Sequence, residues 1–173
     1  MSTAPCPDFD TERLTVRNWA ASLRDEKCRA SLGRALAGLL SEPVLRHLPD
    51  SLQPDLARCD PMRAWIDARA ANGTVYTLRP REGGPLLGLL TLAQPAPEDL
   101  RIGYLLGEAY WGRGLASELV AGLLRALPPG PGRVIHGSVV PENTGSAKVL
   151  LKAGFLPDAA RSTPSLTLYT KRA

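Results

Sequence analysis

Trp111-Gly112-Arg113-Gly114-Leu115-Ala116 is the stretch whose reading decides the fold. It lies between a run expected to be a strand, Leu100–Leu106, and a helical pattern that continues to about Leu127. A glycine-rich turn that opens a helix leaves several backbone N–H groups unpaired and aimed at one spot. The helix dipole adds positive potential there, so a phosphate or pyrophosphate is the natural guest. Glycine suits the position because a side chain would hold the anion away from the backbone. The alternative is a plain loop that happens to hold two glycines.

The surroundings favour the anion loop. Leu115, Ala116, Leu119, Val120, Leu123, Leu124 and Leu127 repeat as one apolar helical face, and Pro128-Pro129-Gly130 stops it. The β-rich run Val134–Val140 follows. Strand, helix and strand in about forty residues make a crossover unit, so the two strands are expected to be parallel. A Gly-x-Gly with a third glycine is absent, as is a Gly-Lys-Ser/Thr loop, which excludes the dinucleotide fingerprint and the nucleoside-triphosphate loop.

Working outward, Glu12–Asn18 alternates as a half-buried strand. An amphipathic helix is expected from about Ser22 to Leu40, a short helix or turn over Val44–Leu52, and a helix from Asp60 to Ala71. Thr74–Arg79 and Pro85–Leu92 form a hairpin around Glu82-Gly83-Gly84, and Gln94–Asp99 is a proline-rich turn. A helix over Thr144–Ala153 precedes two paired strands, Phe155–Ala160 and Leu166–Lys171.

A chain of 173 residues suits one domain, 1–173, and no linker, repeat or heptad run divides it. The net charge is +4, but the basic residues are scattered without aromatic interleaving, which argues against nucleic acid. No apolar run reaches a membrane span, and the opening residues include acids where a leader would be basic and apolar. A cytoplasmic protein with no membrane partner is expected, as monomer or homodimer. Cys6, Cys28 and Cys59 are odd in number and lack ligand spacing, so free thiols and no metal are expected.

Trp111-x-x-Gly114-x-Ala116 after Ile102-Gly103-Tyr104-Leu105-Leu106 resembles the acyl-CoA pyrophosphate loop of the GNAT superfamily of N-acetyltransferases. The family's usual form is Gln/Arg-x-x-Gly-x-Gly/Ala, and Trp111 in first place resembles the RimJ/RimL-like branch. Pro141-Glu142-Asn143-Thr144-Gly145-Ser146, running to Gly154-Phe155, resembles that branch's Asn-x-x-Ser helix, and Thr11–Arg17 its opening strand. The resemblance implies a mixed α/β fold: a mostly antiparallel twisted sheet with one splayed parallel pair, flanked by helices. It also implies acetyl-CoA as acyl donor and a primary amine as acceptor, a ribosomal-protein N-terminus among them. A small-molecule or antibiotic acetyltransferase and a non-catalytic acyl-CoA-binding module are the alternatives.

The implied cofactor contacts are Trp111, Gly112, Arg113, Gly114, Leu115 and Ala116 for the pyrophosphate. Gly103, Tyr104, Leu105 and Leu106 match the strand amides that pair with the pantetheine arm. Asn143 serves as helix cap, cofactor contact or both. Ser146 is either a solvated first-turn serine or a donor to the departing thiolate. Many relatives place a tyrosine acid seven residues after the Asn; here that residue is Leu150, unless Tyr104, Tyr110 or Tyr169 substitutes. The glutamate base of some relatives corresponds to Ser138. His136 shares a strand face with Ser138 and is either a structural histidine or a base acting through water. Arg113 could neutralise phosphate or sit on the rim, and Glu118 suits the helix dipole. The acceptor side is expected beside His47, Trp19 and Leu166–Tyr169. Leu39–Leu56 offers only Glu42, Asp50 and Asp55 there, too few carboxylates for a polycation.

Overall fold

The computed structural model describes residues 5–130 and 132–173. Its strands are β1 (Phe9–Asp10), β2 (Leu14–Asn18), β3 (Thr74–Pro80), β4 (Gly88–Ala96), β5 (Asp99–Leu106), β6 (Val134–Val139), β7 (Leu156–Pro157) and β8 (Thr167–Arg172). Its helices are α1 (Ala20–Arg24), α2 (Glu26–Leu39), α3 (Glu42–Arg46), α4 (Pro61–Ala71), α5 (Leu115–Ala126) and α6 (Thr144–Lys152). One sheet runs β1-β2-β3-β4-β5-β6-β8-β7. Every neighbouring pair is antiparallel except β5 and β6, which are parallel and joined through α5 as a crossover requires.

The parallel pair decides where a ligand can sit. Its ladder covers only Asp99–Ile102 against Val134–Gly137. Beyond it β5 continues to Leu106, paired only with β4, and β6 to Val139, paired only with β8. The sheet therefore opens at the C-terminal ends of its two parallel strands, the usual place for a site in such a layout. Gly137 closes the root of the opening: a Cβ there would stand 2.9 Å from a methyl of Leu150, so a larger residue would require the buried Leu150 side chain of α6 to shift.

Two apolar cores hold the helices. Alternation along the strands sends Val16, Tyr76, Leu90, Leu100 and Ile102 to one face, where they meet Leu119 and Leu123 of α5 and Leu150 of α6. Val75 and Leu89 point the other way, onto Trp19, Leu32, Leu36, Trp65 and Ile66. α5 is the most strongly one-sided helix, and its buried residues recur at the spacing its sequence shows.

Several elements depart from expectation for local reasons. The helix expected over Ser22–Leu40 is broken in two. Asp25 is extended (φ −98°, ψ 123°) and its carboxylate accepts from the Cys28 N–H at 2.8 Å, so it caps α2. Val44–Leu52 resolves into α3, which begins earlier, and a 3-10 turn at Asp50–Leu52. The proline-rich stretch from Gln94 is mostly strand: an irregular register between Ala93 and Ala96 carries Pro95 without requiring its missing N–H. Phe155–Ala160 contributes only the two residues of β7, and β1 was outside the expected set.

Candidate active site

The entrance to α5 is built on two left-handed glycines. Gly112 has φ +71° and Gly114 φ +75°, values that side-chain-bearing residues rarely adopt. Gly114 occupies the N-cap without a side chain to fill the role. Among the described residues, the backbone N–H groups from Gly112 to Ser117 meet no acceptor, and Glu118 N–H is the first to be bonded, to Gly114 O at 3.0 Å. These are the free donors of a helix N-terminus, and all of their residues except Arg113 line a cleft of about 460 Å³.

Side chains behind the loop hold it in place. The Glu118 carboxylate accepts from Thr11 Oγ1 at 2.5 Å, Arg13 N at 2.7 Å and Arg13 Nε at 2.6 Å. Burial pushes the Glu118 pKa up, but these donors and the Arg13 charge together outweigh it and hold the carboxyl below its usual range. Arg13 Nη1 also donates to Arg113 O at 3.0 Å. Trp111 Nε1 donates to Leu106 O at 2.8 Å, so the loop is tied to the end of β5 as well.

The start of α6 forms the opposite wall. Asn143 Oδ1 accepts from Ser146 N at 3.0 Å, capping the helix. Tyr104 reaches across the opening from β5, its hydroxyl donating to Ser146 O at 3.3 Å. Burial pushes the Tyr104 pKa to about 12. Leu150 is 1% exposed and packs in the core against Gly137, away from the cleft.

At the third side stands α3. Val44, His47 and Leu48 line the cleft with Leu105 and Trp111. The His47 and Trp111 rings lie 5.5 Å apart at 52°. His47 Nδ1 is buried and has no partner among the described residues.

The cleft thus gathers Tyr104, Leu105, Leu106, Trp111, Gly112, Gly114, Leu115, Ala116, Asn143 and Ser146 from the sequence reading, and His47 with them. Arg113 does not line it; its guanidinium lies over the Tyr110 ring, 6.0 Å from the centroid. Trp19 is buried in the second core, and the Leu166–Tyr169 run stands elsewhere. His136 is not in the cleft either. Strand alternation turns it to the face away from α5 and α6, where Nε2 lies 3.1 Å from Asp99 Oδ1, out of line for a hydrogen bond. Burial lowers its pKa, against the pull of Asp99.

The cleft also holds Ser117, Glu142, Thr144, Gly145, Val149, Val44 and Leu48. Position at a helix start was a usable signal for Ser117, Thr144 and Gly145. Val44 of α3 and Leu48 just after it fall in the Leu39–Leu56 stretch expected on the acceptor side, but nothing local singles them out, and they reach the cleft from some sixty residues before the loop through tertiary packing. Among the described residues no three His, Cys, Asp or Glu side chains group to hold a metal, and no helix is long and apolar enough to cross a membrane.

Residues 13–156 match the acetyltransferase (GNAT) domain family. The chain belongs to the GNAT family of acetyltransferases, acyltransferases that use acetyl-CoA. No curated protein matches it by sequence. Solved structures share its fold. A GNAT-family probable acetyltransferase from Chromobacterium violaceum superposes with a TM-score of 0.75 at 20% identity, over 99% of this chain and 88% of that one. An acetyltransferase from Agrobacterium tumefaciens gives 0.66 at 25%, over 100% and 98%. RimL, a ribosomal L7/L12 α-N-protein acetyltransferase solved with coenzyme A, gives 0.68 at 16%, over 94% and 95%.

Proposed function

We propose that this protein is an acetyl-CoA-dependent N-acetyltransferase of the RimJ/RimL-like branch, with residues 1–173 serving as one catalytic domain. It would transfer acetyl to a primary amine, a protein N-terminus among the candidates. The observation that carries the reading is the set of unpaired N–H groups from Gly112 to Ser117, opening into the cleft that Asn143 and Ser146 face from the other side.

Those N–H groups suit a pyrophosphate: several donors converge, and the α5 dipole adds positive potential. The β5 residues Tyr104, Leu105 and Leu106, freed from β6, would pair with the amide-bearing arm of the donor. Acetyl-CoA supplies an activated thioester. This chain's residues supply position, which is the larger part of such a rate gain. The amine nitrogen forms a bond to the acetyl carbon, the carbon–sulfur bond breaks, nitrogen loses a proton to water, and sulfur gains one. We assign to Ser146, which lines the cleft, the donation of a hydrogen bond to the departing sulfur. Glu142 and His47 line the cleft, but no hydrogen bond orients either as a base among the described residues, and we assign proton removal to water.

The test combines calorimetry with acetyl-CoA and a thiol-release assay over peptide N-termini and small amines. Micromolar binding with amine-dependent release supports the reading. Binding without release over any amine would leave an acyl-CoA-binding module, and no binding would remove the site.

A further inference from the structure

We propose that the α3 end of the cleft is an acceptor pocket selective for amines carried on an apolar or aromatic body, and that it discriminates against polycations. This rests on the acyl-transfer reading of the same cleft.

The two ends of the cleft differ in chemistry. Toward α5 and α6 the lining combines Leu115, Ala116 and Val149 with the unpaired N–H groups of the loop, the Asn143 amide and the Ser146 hydroxyl, and those polar groups suit an anion. Toward α3 it is Val44, Leu48, Leu105 and the ring of Trp111, with Tyr110 beside it, and His47 contributes an imidazole. Among the described residues Glu142 is the sole carboxylate in the lining, and it is exposed just before α6. Glu42, Asp50 and Asp55 of the α3 region are exposed and stand outside the cleft. Glu42 is already paired with Arg46 at 2.9 Å and Asp55 with Arg58 at 3.4 Å. A spermidine or aminoglycoside would bury further ammonium groups here with no counter-charge, which is costly.

His47 sharpens the selectivity. Its Nδ1 is buried with no hydrogen-bond partner among the described residues, and its ring stands beside that of Trp111, so it meets the cleft as an aromatic wall. Apolar walls also disfavour the charged form of a bound amine, so the nucleophile is delivered closer to the free base it must be. The step balances: amine plus thioester gives amide plus thiol, the proton leaving nitrogen and the proton reaching sulfur both exchanging with water.

The test is acetyl-CoA-dependent thiol release with phenethylamine, tryptamine, spermidine and kanamycin. The aromatic monoamines are expected to exceed the polycations in kcat/KM by about ten-fold or more. Leu48→Asp, which adds a carboxylate at the α3 end, is expected to shift that preference toward spermidine by about ten-fold, with acetyl-CoA Kd within about two-fold of the wild type. His47→Phe keeps the aromatic wall and is expected to hold the phenethylamine KM within about three-fold of the wild type, again with acetyl-CoA Kd unchanged. Wild-type preference for spermidine or kanamycin overturns the proposal, as does acetyl-CoA binding without turnover of either aromatic amine. Folded variants that lose acetyl-CoA affinity also overturn it and assign this end to the donor's arm. Wild-type protein that binds no acetyl-CoA overturns the acyl-transfer reading itself.

Discussion

Two helices open onto the same cleft, and they begin differently. α6 is capped by its own chain: the Asn143 side chain takes the Ser146 N–H, and Thr144 N–H finds Glu142 O at 3.0 Å. α5 begins at a left-handed glycine with no capping side chain. Capping groups and ligands compete for the same few donors at a helix N-terminus. Among the described residues the start of α6 therefore leaves only the Gly145 N–H without an acceptor, whereas the entrance of α5 leaves those from Gly112 to Ser117. The α5 entrance is held from behind, through Glu118, Thr11 and Arg13, without using any of those donors.

Gly114→Val strikes the α5 entrance and carries the largest expected effect. The branched side chain strains a φ of +75° and turns the N–H groups from their common point. Acetyl-CoA affinity is expected to fall by about 100-fold or more, since several charge-assisted bonds are lost together. Calorimetry on a variant whose circular dichroism is native checks this, and equal affinity would erase the distinction between the two helix starts.

Asn143→Ala strikes the start of α6. Loss of the cap costs about 1 kcal/mol, read as a lower midpoint in urea. If Asn143 also meets the donor, the acetyl-CoA KM rises about three-fold beyond that loss. An unchanged constant would make it a cap alone.

Ser146→Ala leaves the cap intact, because the bond to Asn143 uses the backbone N–H. Turnover is expected to drop by about ten-fold or less, water supplying part of an assistance that ranges over ~10²–10⁴. A much larger loss would make Ser146 central to the chemistry.

His136 stands outside both helix starts and offers the smallest effect, on stability. Burial depresses its pKa from 6.5, so the unfolded chain binds a proton that the folded chain resists. Its share of stability is full above about pH 6.5 and shrinks as pH falls through that value, with a slope of at most about 1.4 kcal/mol per pH unit. His136→Asn should flatten that slope in urea titrations between pH 7 and 5 while leaving the pH profile of turnover unchanged. A changed turnover profile would connect this face to the reaction.

Much of this was legible because it is local. The glycines at 112 and 114, the apolar stripe of α5 and the Asn143–Ser146 cap are each set within a few residues, where backbone conformation and capping act. The parallel pairing of β5 and β6 follows from the length of their connection. What misled was also local in form. The stripe through Ser22–Leu40 hid the break at Asp25, because periodicity averages over a single capping residue. The shared face of His136 and Ser138 was read correctly as alternation, but alternation does not say which side of the sheet carries the cleft.

The amino-acid sequence by itself determined the family, the glycine-built entrance of α5 and the crossover that carries it, since these depend on glycine, proline and spacing. Only the tertiary structure decided how far β5 and β6 pair before they part, that Tyr104 spans the gap to Ser146, and that His47 and Leu48 reach the cleft while Trp19 and His136 do not. Those outcomes depend on close packing between segments distant in the chain, where a glycine at 137 or a leucine at 150 sets the approach of whole elements.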